Sequence, residues 1–266
     1  MKDRVSIIMG IYNCATTLSE AIDSIFNQTY PHWKLIMCDD GSKDDTYEAA
    51  KTYCEKYPER FILLKNDCNM GLNYTLNRCL EYADTEYIAR MDGDDISLPT
   101  RLEEEVKFLD SHPEYDFVSC PMIYFDEQGD FMWGKNSGEP VLEEYVRGTP
   151  FCHAPCMVRR TAYLDVNGYT VSPKRIRVED WDLWVRMRAS GHRGYNLSEP
   201  LYKMRDDRNA IGRRKLKYRF NESRVIIQAI RTLRLSPVYY GLALRPIAVG
   251  LLPSGIYKIL HKIKTR

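Results

Sequence analysis

A short apolar run, Tyr87-Ile-Ala-Arg-Met91, leads straight into Asp92-Gly93-Asp94-Asp95. Acids this close repel one another and lose hydration, so they call for a positive charge. A hard divalent cation with a phosphate behind it suits an all-oxygen donor set. Asp-Gly is also turn chemistry, so the stretch alone leaves a plain turn open. A second run, Trp33 to Cys38, also ends in acids, Asp39-Asp40-Gly41-Ser42. There the competing reading is a turn and a helix cap. A third acidic pair, Glu179-Asp180, precedes Trp181-Asp182-Leu-Trp184. At a helix start such acids suit the macrodipole without doing any chemistry.

The elements that must carry these acids alternate. Val5 to Met9 reads as a strand, with Gly10 to Asn13 as its exit loop. Thr17 and Glu20 have capping-box spacing, and Leu18, Ala21, Ile22, Ile25 and Phe26 make one helical face. Trp33 to Cys38, Phe61 to Leu64 and Tyr87 to Met91 read as further strands. Helices are expected over 45–57 and 72–82, and another from Pro99, a favoured first-turn residue. This order predicts an α/β fold with a doubly wound, mostly parallel, Rossmann-like sheet. The strand ends at Gly10, Asp39 and Asp92 then share one edge, where ligands of such sheets bind. No Gly-x-Gly-x-x-Gly follows the first strand, and there is no Gly-x4-Gly-Lys-Ser/Thr loop. A nucleotide here needs its phosphates neutralised by other means, and the acidic loop with a metal supplies one.

Farther on, 116–120 reads as a strand and Met122 to Trp133 as a hairpin turning near Gly129. Cys152, His153 and Cys156 invite a zinc reading but lack a second ligand pair at the usual spacing. Lys174-Arg-Ile-Arg177 reads as a solvated loop close in sequence to Asp180. Eight scattered cysteines suit a reducing compartment better than a disulfide framework. No apolar stretch with a cleavage site follows Met1, which argues against a secretory signal.

The net charge of +1 hides an asymmetry. Residues 213–266 hold thirteen Lys and Arg against one acid, a net +12, which leaves −11 on the other 212 residues. A basic tail on an acidic body implies an anionic partner. Its apolar runs are broken by Pro237, Arg245-Pro246 and Pro253, which disfavours a spanning helix. Ile256 to Lys264 sets apolar residues against lysines, as helices lying in a membrane surface do. Residues 213–266 are therefore expected on an anionic membrane surface. Packing on the catalytic body, or on another subunit as a homo-oligomer, is the competing reading.

Taken together, these stretches resemble a family 2 glycosyltransferase of the GT-A fold over roughly residues 4–206. Val5 to Asn13, Gln28-Thr29-Tyr30, Asp39 to Ser42, Asn69-x-Gly71 with Asn77, Met91 to Asp95 and Glu179-Asp180-Trp181 fall in that family's order. The resemblance implies a catalytic domain over 1–212 and a tail over 213–266. It implies inverting transfer from a nucleotide-diphosphate sugar, of the UDP class, to a glycan or lipid-linked acceptor. Cell-surface polysaccharide or lipopolysaccharide synthesis at the cytoplasmic face of the membrane is the implied setting. Tyr12, Asp39 and Asp40 would lie at the nucleotide and Asp92 at the ribose. Asp94, with Asp92, would hold Mn²⁺ or Mg²⁺. Asp180 would be the base, with Glu179 orienting it, and Asp95 would pair with Arg101 as support. Gly10 stands where the family usually has proline. Arg205 to Arg208 stand where it often has a histidine, so Arg205 or Arg208 is left to meet the diphosphate. The rival classes are a nucleotidyltransferase, which lacks its basic glycine-rich loop here, and a nucleic-acid-binding protein, for which no recognition motif appears.

Overall fold

Strands and helices alternate through the first half of the chain, as the periodicity predicts. A computed structural model describes residues 2–206 and 215–252. The order begins β1 (Val5–Ile11), α1 (Leu18–Phe26), β2 (Trp33–Asp39), α2 (Thr46–Lys56), β3 (Phe61–Lys65), α3 (Leu72–Tyr82), β4 (Tyr87–Asp92). It continues β5 (Ile96–Ser97), α4 (Arg101–Ser111), β6 (Phe117–Ser119), β7 (Met122–Asp126), β8 (Gly129–Trp133), β9 (Met157–Arg159), α5 (Arg160–Asp165). It ends α6 (Glu179–Ala189), β10 (Gly194–Asn196), β11 (Tyr202–Arg205), α7 (Leu216–Thr232) and α8 (Arg245–Gly250).

The main sheet has the order β10-β6-β9-β4-β1-β2-β3. β4, β1, β2 and β3 are parallel, so their carboxyl ends meet on one edge. β9 runs antiparallel between β4 and β6, a strand the sequence does not announce. A second sheet, β5-β11-β7-β8, contains the expected hairpin.

Successive strand residues point to opposite faces, and the cores divide accordingly. Ile7, Met9, Ala89 and Met91 pack with Leu18 and Ile22 of α1 and Leu102 of α4. Ile8, Ile36 and Ile88 pack with Leu76 of α3 and Trp184 of α6. By the same alternation Arg90 and Asp92 lie on the α6 side of β4. That face brings the Asp92 loop and the start of α6 to one side of one sheet.

Two local expectations give way to long-range partners. Thr17 makes no cap to α1; its Oγ1 donates to the carbonyls of Cys14 (3.2 Å) and Gly93 (3.0 Å). Arg101 does not pair with Asp95. It pairs with Glu105 at 3.2 Å, donates to the Arg90 carbonyl at 2.8 Å, and lies over the Tyr202 ring. A fully buried guanidinium needs a close acid and carbonyl partners at once, and one helical turn supplies the acid.

The described part of the basic segment packs on the catalytic body. Val225, Ile226, Ala229 and Ile230 of α7 are buried in the core that holds Trp181 and Trp184. Ile256 to Lys264, and Arg208, lie outside the described residues. Among the described residues, no helix is long and apolar enough to cross a membrane.

Candidate active site

A cavity of about 300 Å³ opens at the carboxyl ends of β1 and β4. Tyr12, Asn13, Asp92, Gly93, Asp94 and Arg205 are among its walls. The loops around it are stitched together by short bonds. Asn13 N donates to Ser42 Oγ at 3.0 Å, and Lys43 N donates to Asn13 Oδ1 at 2.9 Å. Asn13 holds a φ of 50°, a left-handed geometry that asparagine tolerates. Gly93 sits so tightly that a β-carbon there would lie 2.9 Å from Cys14 Sγ and 3.2 Å from Ile11 Cγ2. Glycine is what lets the loop between Asp92 and Asp94 fold down on β1.

The acids have different surroundings. Asp92 Oδ1 accepts from Arg90 Nη2 at 2.5 Å, and Asp92 N donates to the Tyr202 hydroxyl at 3.2 Å. Partial loss of hydration, then the charge of Asp92, raises the Asp94 carboxyl above its ordinary range. Asp95 is buried and pushed up to about 8, first by burial and then by Asp92 and Asp94. Its Oδ1 accepts from Arg205 N at 2.8 Å. Arg205 Nε donates to the Asp94 carbonyl at 3.0 Å, its Nη2 pairs with Glu20, and its guanidinium lies over Phe125. Glu20 thus serves Arg205, where the sequence pattern has it closing a helix cap.

A divalent cation suits this wall. Asp92 and Asp94 offer hard oxygen donors whose mutual repulsion a cation relieves. Among the described residues there is no cluster of three metal-ligating side chains. Mg²⁺-type ions at phosphate sites take only one or two carboxylates, the phosphates supplying the rest.

Asp39 lies one strand over, paired in register with Ile11. It is fully buried; its Oδ2 accepts from Ser42 N at 3.2 Å, while Oδ1 has no partner in the protein. An orphaned buried acceptor next to Tyr12's loop is fit to receive an N–H from a ligand. Asp40 is differently used from the nucleotide contact expected of it. Its Oδ1 accepts from Asn66 Nδ2 (2.8 Å) and Met70 N (2.7 Å), and its Oδ2 from Gly71 N (2.9 Å). These bonds shape the turn into α3. Asp40→Ala is expected to cost about 3 kcal/mol, read as a lower urea midpoint at unchanged slope.

Glu179 and Asp180 form the first turn of α6. Burial first raises both carboxyls; for Glu179 the charge of Asp180 adds to it. Polar groups at Trp181 and Thr149, and then the charge of Arg90, draw Asp180 back toward ionisation. Glu179 Oε2 is buried without a protein partner. The two acids do not line the Tyr12–Arg205 cavity, but they share the field of Arg90 with Asp94. His153 accepts from or donates to the Tyr169 hydroxyl through Nε2 at 2.8 Å. Burial and Arg90 hold its imidazole well below the usual range, so it is neutral. Arg90, Thr149 and Tyr202 escaped the sequence reading. An arginine inside a run of buried strand residues, two before an acid, is the signal that marks the first; the others carry none.

The chain is similar to known proteins of one family. The profile described as Glycosyl transferase family 2 matches residues 6–168. A protein of Bacillus subtilis (strain 168) named as a glycosyltransferase, EpsE, is 43% identical over 261 residues, covering 97% of this chain and 93% of the relative. The Escherichia coli UDP-Glc:alpha-D-GlcNAc-diphosphoundecaprenol beta-1,3-glucosyltransferase WfaP is 29% identical over 225 residues, covering 84% of this chain and 85% of the relative. The crystal structure of S. aureus TarS 1-349 in complex with UDP superposes with a TM-score of 0.68 at 18% identity, over 93% of this chain and 70% of that one.

Proposed function

Because the chain belongs to glycosyl transferase family 2 and is an enzyme of that class with the GT-A fold, we propose a specific reaction for it. It moves a sugar from a UDP-sugar to a hydroxyl of a glycan or lipid-linked acceptor, with inversion at the anomeric carbon. The observation that carries this reading is the shared face of β4 and α6. Asp92, a wall of the acid-lined cavity, lies on the face of β4 that packs against α6, the helix that carries Glu179 and Asp180. The UDP of the TarS complex and the donor and diphosphate-lipid acceptor in the name of WfaP support the substrate classes.

On the donor side Asp39 Oδ1 accepts the imide N–H of the base, and the half-exposed Tyr12 ring covers it. Asp92 faces the ribose. Asp94, with Asp92, holds the Mn²⁺ or Mg²⁺, and Arg205 flanks the diphosphate. When bound, the cation supplies Lewis-acid stabilisation of the charge gathering on the departing diphosphate. On the acceptor side Asp180 takes the proton of the attacking hydroxyl, since a hydroxyl is a poor nucleophile until a base within hydrogen-bond reach does so. Glu179 Oε2 orients the acceptor through a second hydrogen bond. Incubation with a panel of sugar nucleotides and Mn²⁺ or Mg²⁺ tests the reading. UDP-sugars are expected to raise the melting temperature and to be slowly hydrolysed to UDP. No stabilisation or hydrolysis by any member overturns it.

We further place the enzyme on the cytoplasmic face of the cell membrane, in polysaccharide synthesis, held by its basic carboxyl-terminal residues. The exposed Val238, Leu244 and Leu251 beside Arg245 support contact with an anionic surface. Truncation after residue 252 is expected to keep cooperative melting and to weaken co-sedimentation with anionic vesicles, since Lys258, Lys262, Lys264 and Arg266 go with it. Truncation after residue 212 strips Val225 and Ile230 from the core, and cooperative melting is expected to vanish. Full vesicle binding by the shorter truncation would remove the membrane role from those residues.

A further inference from the structure

The residues that join the two halves of the site were assigned no part by the sequence. Arg90 is the central one. It is 4% exposed, in the strand that carries Asp92. Its backbone is fixed on both sides: N donates to the Cys156 carbonyl at 2.9 Å, and O accepts from Arg101 Nη2 at 2.8 Å. Its Nη2 is committed to Asp92 Oδ1 at 2.5 Å. Its Nε is buried and has no partner in the protein.

A guanidinium taken out of water needs charge and hydrogen bonds in return. One carboxylate at ion-pair distance answers part of that need. The remainder is spread over acids farther off, because Arg90 acts on Asp94, Glu179 and Asp180 alike. Asp180 is faced by Glu179 and the Trp181 amide on its own helix, and by Thr149 and Cys152 before β9. Tyr169 faces it from the loop after α5, and Arg90 from β4. Of these groups Arg90 alone carries a positive charge. Arg177, at a φ of 67°, stands at the exposed rim beside Glu179.

We propose that Arg90 is a positioning residue shared by both halves of the site. It fixes the Asp92 carboxylate on the donor side and, from the face of β4 that packs against α6, supplies buried positive charge to the acceptor side. The acceptor half of this proposal rests on Asp180 being the base.

Arg90→Met and Arg90→Lys in the full chain test it. The first readout is the pH titration of the Asp180 carboxyl, followed by carbon-detected NMR without any ligand and assigned by its loss in Asp180→Asn. Arg90→Met is expected to move that titration upward by about one unit, and Arg90→Lys, which keeps the charge, to leave it nearly in place. The second readout is UDP affinity in the presence of Mn²⁺, by calorimetry. It is expected to fall about tenfold in both variants, because a lysine cannot reproduce the planar fork. An unmoved Asp180 titration in a cooperatively melting Arg90→Met overturns the shared role, and so does unchanged UDP affinity in either variant. If Arg90→Met does not melt cooperatively, Arg90→Lys decides alone: lost affinity with an unmoved titration supports the proposal, and retained affinity overturns it. The titration needs no donor. Wild-type protein that fails to bind UDP with Mn²⁺ therefore removes the donor reading and leaves Arg90's effect on Asp180 still measured.

Discussion

Asp180→Asn is expected to lower sugar transfer by about 10²–10⁴-fold, the usual share of a general base. Donor affinity should change by less than about twofold, since the lost group acts only as the acceptor proton moves. The amide keeps the shape of the side chain, and cooperative melting of the variant checks that the fold survives. The pH profile sharpens the test. Burial raises the Asp180 carboxyl, and a base must be ionised to act. Wild-type transfer is therefore expected to fall as pH drops through a value above the ordinary aspartate range. That limb should be missing from whatever activity the asparagine variant retains. Wild-type-like turnover in Asp180→Asn would take the role away from it.

Asp94→Ala is expected to act on the other half. Metal-dependent UDP binding should weaken and transfer fall by about 10²–10³-fold, as when one preorganised charge-stabilising group is removed. Calorimetry with UDP, with and without Mn²⁺, separates this from general damage. The wild type should lose affinity when a chelator is added, and the variant should show the same low affinity in both conditions. Equal wild-type and variant affinities in Mn²⁺ would rule Asp94 out as the ligand. Asp92→Asn is less clean, because Asp92 also neutralises Arg90 and its loss leaves that guanidinium buried and unpaired.

Much of this could be read from the sequence because the sheet is covered on both faces. β1, β2 and β4 are almost wholly buried, so they appear as mostly apolar runs, and acids mark where β2 and β4 stop. The face of α1 is likewise plain, with Leu18, Ala21, Ile22 and Ile25 all buried. What could not be read depends on partners distant in the chain. β9 is three residues long and owes its place to pairing with β4 and β6. Thr17 and Glu20 have the spacing of a cap, yet Gly93 and Arg205 claim their side chains. Asp39 and Asp40 are neighbours of one type, and only the fold gives one an empty oxygen and the other three donors. In the basic segment the apolar residues of α7, Val225, Ile226 and Ile230, are legible as a helical set, and packing on the catalytic body, the competing reading, is what the described part of that segment does.

The docking of α7 on α6 also sets the order in which the enzyme is completed during synthesis. β1 to β4 can pair with one another while the ribosome is still making the second half, since those four strands lie within the first 92 residues. The helix that carries Glu179 and Asp180 cannot. Its inner side, with Trp184 stacked on Phe117 at 4.9 Å, is closed over by Val225 to Ile230, emitted some forty residues later. Domains made from the amino end fold as their contacts become available. A nascent chain would thus pair the strands that carry Asp39 and Asp92 before it can seat the helix that carries Glu179 and Asp180.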